Sequence, residues 1–313
     1  MNEFFESYPY VKWILIGFGV LALLSKYLNF DPLDNLINRF TKYKFKEDNS
    51  LGLEEFKELN RLMNEGNRLG VQKRIDSLKG SYRTFAFRSL AQYANETDVN
   101  SWLNSETRSD LPKVIKAYKL VFDAWEIRGR DTVDTVSEKN LANFKYKLVE
   151  AKELLKSTNE DSKYRLNINA LLLKIYKALN VERDLIKDTY QNAVQEDENH
   201  AELNFSYFSA ISPKWGGSMD EVNAFLDQLP QKSEFINHLI TAQYYFDYVH
   251  MMDGKDDSKR MKAFIEEMKS QPIDKDELYK YELYVLLYWL ANNLSYSDLE
   301  NYYKQLALPY WKD

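Results

Sequence analysis

Apolar residues return every three or four positions, in run after run, from Leu53 almost to the end of the chain. That spacing puts them on one side of a 3.6-residue helical turn and restricts the fold more than any other feature. Leu53, Phe56, Leu59 and Met63 make one face; Val71, Ile75 and Leu78 make a second, and Tyr82, Phe85, Leu90 and Tyr93 a third. Leu111, Val114, Tyr118, Val121 and Trp125 follow, then Leu141, Phe144, Leu148, Ala151 and Leu155, then Tyr164, Ile168, Leu171, Ile175 and Ala178. Beyond residue 180 the pattern predicts helices over 182–196, 199–211, 219–229, 234–251, 258–270, 275–293 and 297–306. No stretch sustains the alternation of a strand, and ten glycines and seven prolines are too few for the turns of an all-β chain of 313 residues. The expected fold class is all-α. Helices of about 12–20 residues joined by short connections suit a tetratricopeptide-like α-solenoid over 53–313, although no strict repeat period runs through them.

The breaks between runs carry helix-start chemistry. Ser/Thr-x-x-Glu, the capping-box spacing, occurs at Thr135–Glu138, Ser157–Glu160 and Ser218–Glu221. Gly129 stands where a helix ending near Arg128 favours a left-handed residue.

Ahead of these runs, residues 11–28 are apolar on every side, which predicts a transmembrane helix preceded by a short tail, with a juxtamembrane linker over 29–52. At about 1.5 Å per residue the stretch reaches roughly 27 Å, close to the thickness of a hydrocarbon core. Trp13, Ile14, Leu15, Ile16, Phe18, Val20, Leu21, Leu23 and Leu24 face the lipid in this reading. Lys12 and Lys26 snorkel toward the headgroups, and Tyr8, Tyr10, Tyr27 and Phe30 supply interfacial aromatics. A cleaved signal peptide fits less well, because Glu3 and Glu6 occupy the place of a positive n-region. Lys26, Arg39, Lys42, Lys44 and Lys46 all follow the span, so the positive-inside rule puts the helical domain on the cytoplasmic side of a bacterial inner membrane; a periplasmic placement is the alternative.

Composition narrows the function. Residues 1–50 are neutral overall, so the net charge of −6 belongs to the remainder, which argues against a nucleic-acid partner. The absence of cysteine removes disulfides, thiolate nucleophiles and Cys-ligated metals. None of the three histidines, His200, His238 and His250, pairs at the i, i+4 spacing of a helical metal site. No Gly-x-Ser-x-Gly elbow or phosphate-binding loop occurs, and the carboxylates are spread along helix faces. No catalytic, cofactor or metal residue is assigned, and the chain is read as a membrane-anchored adaptor or scaffold for another protein, a membrane-associated component of the cell envelope or of a secretion machine being the expected partner. The alternatives are an inhibitor-type protein that captures one toxin or enzyme and, less favoured, a helical hydrolase. Tyr244, Tyr245, Tyr248, Tyr279, Tyr281, Tyr284, Tyr288, Trp289, Tyr302, Tyr303, Tyr310 and Trp311 crowd the last third. Packing accounts for most of them; the excess suits a peptide groove or a contact between copies of the chain.

Two stretches are too particular to be generic helix: AWEIRG at 124–129 and PKWGGS at 213–218. In this order they resemble a bacterial family of uncharacterised tetratricopeptide-like proteins, domain of unknown function 4034, over about residues 98–230. The resemblance implies a helical-repeat fold and no particular activity. Physically, Pro213 stops one helix, Gly216 and Gly217 permit a tight reversal, and Ser218 caps the next helix. Trp215 is expected to plug the angle between two helical pairs, and Lys214 and Trp215 are the residues a partner would touch if the loop is a recognition element. Trp125 and Arg128 carry the same two readings, a packed connector or a contact site.

Overall fold

The computed structural model describes residues 46–129, 136–252 and 258–312. The expected membrane span, with Trp13, Ile14, Leu15, Ile16, Phe18, Val20, Leu21, Leu23 and Leu24, lies outside the described residues. Among the described residues no helix is long and apolar enough to cross a membrane.

Fourteen α-helices make up the described chain. They are α1 (Glu54–Asn64), α2 (Arg68–Ser77), α3 (Gly80–Tyr93), α4 (Glu96–Ser105), α5 (Asp110–Arg128), α6 (Glu138–Lys156) and α7 (Arg165–Leu179). There follow α8 (Arg183–Val194), α9 (Ala201–Ile211), α10 (Met219–Leu226), α11 (Glu234–Met252), α12 (Ser258–Glu267), α13 (Lys280–Asn293) and α14 (Ser297–Ala307). The only β structure among the described residues is a pair of two-residue strands, β1 (Lys46–Glu47) and β2 (Trp311–Lys312).

The packing has a simple grammar. Each odd-numbered helix touches the next odd-numbered one, from α1 through α13, and so forms a continuous inner layer. Even-numbered helices lie against it: α2 on α1, α6 on α5, α8 on α7, α10 on α9 and α14 on α13, with α4 resting on α5 and α12 on α13. Burial follows the same rule. Of two 19-residue helices, α5 buries ten residues and α6 only Phe144, Leu148, Ala151 and Leu155. An inner helix has neighbours on several sides, so its apolar residues spread around it; an outer one needs a single stripe.

The packed unit begins ahead of the expected boundary at Leu53. Asp48, Asn49, Ser50 and Leu51 are buried and belong to the fold, although the spacing of apolar residues places them in the linker. The cause is a set of polar contacts that hydrophobic spacing does not reveal. Asp48 N–H donates to the Tyr310 carbonyl at 2.8 Å, and Tyr93 Oη donates to Asp48 Oδ1 at 2.7 Å. Gln92 donates to the Glu47 carbonyl and accepts from Asn49 N–H. Arg88 pairs with Glu282 at 2.7 Å and donates to Tyr310 Oη at 2.6 Å. The first and last described segments are thereby fastened to α3.

Two capping assignments change. Ser157 closes α6 instead of opening a helix, its hydroxyl donating to the Leu154 carbonyl, and α7 starts only at Arg165. Helix α6 is capped by Ser137, which accepts from Asn140 N–H at 3.2 Å; Thr135 lies outside the described residues. The predicted start of α13 at 275 moves to Lys280, because Asp274 accepts from Asp276 N–H and holds a turn there. In the last third, Tyr279, Tyr288, Tyr303 and Tyr310 are buried, while Trp289 and Tyr302 stay exposed.

Candidate functional site

The two particular stretches meet. Trp125, on the last turn of α5, and Trp215, in the connector between α9 and α10, pack edge to face with ring centroids 6.1 Å apart and planes at 88°. Phe144 of α6 also packs edge to face with Trp125, ring centroids 5.0 Å apart. Both tryptophans remain half-buried. Arg128 lays its guanidinium 5.4 Å from the Trp125 ring centre and donates to the Gly129 carbonyl. Gly129, at φ +72°, ends the helix, its N–H donating to the Trp125 carbonyl at 2.9 Å.

The connector is built as its sequence suggests. Pro213 opens a single 3-10 turn, Pro213–Trp215, and the Ser212 carbonyl accepts from both Trp215 N–H and Gly217 N–H. Gly216 sits at φ +81°, the left-handed region. Gly217 is required for a different reason: a Cβ there would lie 1.9 Å from the Ile211 carbonyl oxygen. Ser218 caps α10 by accepting from Glu221 N–H at 3.2 Å. Glu221 does not reach back to the cap backbone. Its carboxylate takes the Ser218 hydroxyl and the Arg183 guanidinium, the latter at 2.7 Å, and Arg183 also donates to the Ala210 carbonyl at the end of α9. Lys214 points outward and is exposed.

The sequence reading missed the lysine beneath this loop. Lys177 of α7 sits with its ammonium nitrogen 4.7 Å from the Trp215 ring centre and donates to Ser209 Oγ of α9 at 2.9 Å. Part of the side chain still meets solvent, yet protein crowds the amine so closely that burial dominates its titration. Burial, with help from the nearby charges of Lys174 and Lys214, pushes Lys177 down to about 7; Asp247 of α11 pulls in the opposite direction. The indole face also favours the cation, by roughly 0.5–2 kcal/mol, or about one pKa unit. That is too little to restore an ordinary lysine. The only available hint in the sequence was a pair of lysines, Lys174 and Lys177, inside the otherwise apolar stretch 170–179 of the helix.

Lys174 has a stronger partner. It pairs at 2.6 Å with Glu202, which is fully buried and also accepts from Tyr118 Oη at 2.9 Å. Burial alone would raise the Glu202 carboxyl, but Lys174 and Arg88 outweigh it and hold the group below its usual range. His200 proves to be a cap: its Nδ1 accepts from Leu203 N–H at the start of α9. Burial lowers its pKa.

Helix α8 stands between two open clefts. One, of about 410 Å³, has a floor of Leu155, Ile168 and Leu172 with Asn159, Asn169 and Asn192 around it. The other, of about 540 Å³, is lined by Tyr190, Tyr207 and Phe225 with Gln191, Gln195 and Gln228. Tyr190 and Tyr207 stack at 3.9 Å, nearly parallel. Among the described residues no group of three or more His, Asp or Glu side chains is arranged to hold a metal ion. Comparison with protein-family models, with curated proteins and with solved structures finds no match to this chain.

Proposed function

We propose that this chain is a tetratricopeptide-like protein-binding module that holds an extended segment of a partner beside α8, and that residues 11–28 tether it to a membrane. The observation that carries the binding reading is the pair of clefts flanking α8, each within the size range of ligand sites. Their linings combine apolar or aromatic floors with carboxamides and with charged side chains, Glu160, Arg165 and Asp188 in one and Lys187, Glu198, Glu221 and Lys232 in the other. A carboxamide offers one acceptor and two donors, the same groups a peptide backbone presents. The Asn159 and Asn169 amides are already engaged with Asp110 and the Arg165 carbonyl, which leaves Asn192, Gln191, Gln195 and Gln228 to pair with an extended chain. The floors then favour partners with apolar side chains at alternate positions. The alternating inner and outer helices support the repeat reading, since outer helices leave grooves between themselves where an inner layer cannot.

The test places a photo-crosslinking residue at Asn192 in one cleft and Gln195 in the other, with Tyr146 on the exposed face of α6 as control, in full-length protein in its own membranes. Adducts to a partner from the cleft positions alone support the reading. Equal adducts from all three positions defeat it, and capture of one soluble partner in one-to-one ratio favours the inhibitor-type alternative. Release of the full chain by buffer without detergent removes the tether.

A further inference from the structure

The Lys177 amine occupies an arrangement that lysines on a solvated helix do not share. Its hydrogen-bond acceptor is a neutral hydroxyl, Ser209 Oγ. One side of it is covered by the Trp215 ring, against which Trp125 packs at 88°. Facing it are two like charges, Lys174 on its own helix and Lys214 on the connector, and one opposite charge, Asp247 on α11. The charge of Lys174 is itself committed to Glu202 at 2.6 Å. Crowding by protein, a neutral acceptor and neighbouring ammonium groups are the conditions under which a lysine becomes a nucleophile near neutral pH.

We propose that Lys177 is a reactive amine that condenses with small aldehydes, aromatic ones in particular, resting against Trp215. In the step, the unprotonated Nζ attacks the carbonyl carbon and a C–N bond forms as the carbonyl π bond opens onto oxygen. Proton transfer from nitrogen to oxygen gives the neutral carbinolamine. Loss of its hydroxyl together with the remaining N–H hydrogen releases water and leaves the imine. No oxidant or reductant takes part. Ser209 holds the amine against the Trp215 ring, and the part of the Lys177 side chain that meets solvent is the side from which the aldehyde approaches. This proposal does not depend on the protein-binding reading.

Benzaldehyde is the probe, with the imine trapped by borohydride and located by peptide mapping on the full chain. A lysine titrating near 7 is about half unprotonated at pH 7, against less than about one part in a thousand for an ordinary one. Lower intrinsic nucleophilicity offsets part of that, so Lys177 should label on the order of 100-fold faster than Lys187 on the exposed face of α8. Its labelling rate should also level off above about pH 8, where a lysine of ordinary pKa continues to rise. Lys214→Gln, at an exposed position, should move that plateau to higher pH with the fold intact by circular dichroism. Labelling of Lys177 no faster than Lys187, or a profile that rises to pH 10 like the rest, overturns the proposal. An unchanged plateau in Lys214→Gln overturns the role given to the neighbouring charges.

Discussion

Helices α7 and α8 form one pair, yet they live under different rules. Helix α7 belongs to the inner layer and touches α5, α6, α8 and α9; eight of its 15 residues are buried. Helix α8 buries only Ile186, Tyr190 and Ala193 and turns both flanks to clefts. Because α7 is enclosed, any polar group on it must find a partner or change its charge. Lys174 found Glu202, Asn167 donates to Thr84 Oγ1 at 2.9 Å, and Lys177 is the one whose titration shifts most. Because α8 is open, Asp184, Lys187, Asp188, Gln191 and Asn192 stay exposed to solvent. Perturbed chemistry sits inside the pair and accessible surface outside it.

The largest way to break the comparison is at the inner charge. Glu202→Gln leaves Lys174 without its buried counter-charge, while Arg88 keeps Glu282, and is expected to cost about 3–5 kcal/mol in denaturant unfolding. A loss under 1 kcal/mol would mean the pair is a spectator. Next comes packing: Leu173→Ala, fully buried on α7, should cost about 2–5 kcal/mol. Leu185→Ala on α8, at 40% exposure, should stay within about 0.5 kcal/mol. Equal losses at both would dissolve the distinction between layers.

Glycines sharpen the contrast at the connector. Gly217→Ala drives a methyl into the Ile211 carbonyl and should cost about 3 kcal/mol or more, with loss of Trp fluorescence signatures of the packed rings. Gly129→Ala meets open space and bears only the backbone strain of φ +72° with ψ −173°, a region nearly closed to other residues, about 1–3 kcal/mol. If the two glycines prove equivalent, the connector is not held as described.

Two pH effects follow, both from bases whose folded pKa is depressed. For Lys177 the unfolded chain holds the proton between about 7 and the ordinary lysine value near 10.4, while the folded chain has released it. This contribution to stability therefore rises with pH across that window, and its penalty is complete below 7. Lys177→Met should stabilise the protein most at pH 6 and least at pH 10. His200 obeys the same sign lower down: stability declines as pH falls from the unfolded value near 6.5 through the lowered folded pKa, because protonating Nδ1 removes the cap acceptor. His200→Asn, which retains a cap acceptor, should flatten that part of the curve. A steeper decline in the variant would show that the imidazole is not the titrating group.

The helices themselves were legible from the spacing of apolar residues. Predictions at 182–196, 199–211 and 297–306 match α8, α9 and α14 to within two residues at each end. The connector was legible too, because Pro213, Gly216, Gly217 and Ser218 each act on their own stretch of backbone. Legibility stopped where a residue's role depends on a distant one. Nothing near Asp48 announces Tyr310 and Tyr93, so the buried start of the fold read as linker. Nothing near Ser157 says that its hydroxyl turns back to Leu154 while α7 waits until Arg165.

What the chain alone determined is therefore periodic and local: helix after helix, the caps at Ser218 and Gly129, and a bend that only glycine permits. Tertiary structure decided which helices are enclosed, that Trp125 and Trp215 meet, and that Lys177 lies under them beside Ser209. Backbone preference and amphipathic spacing act over a few residues and leave a mark in sequence. Desolvation and charge coupling act through space, between groups whose separation along the chain carries no trace of their proximity.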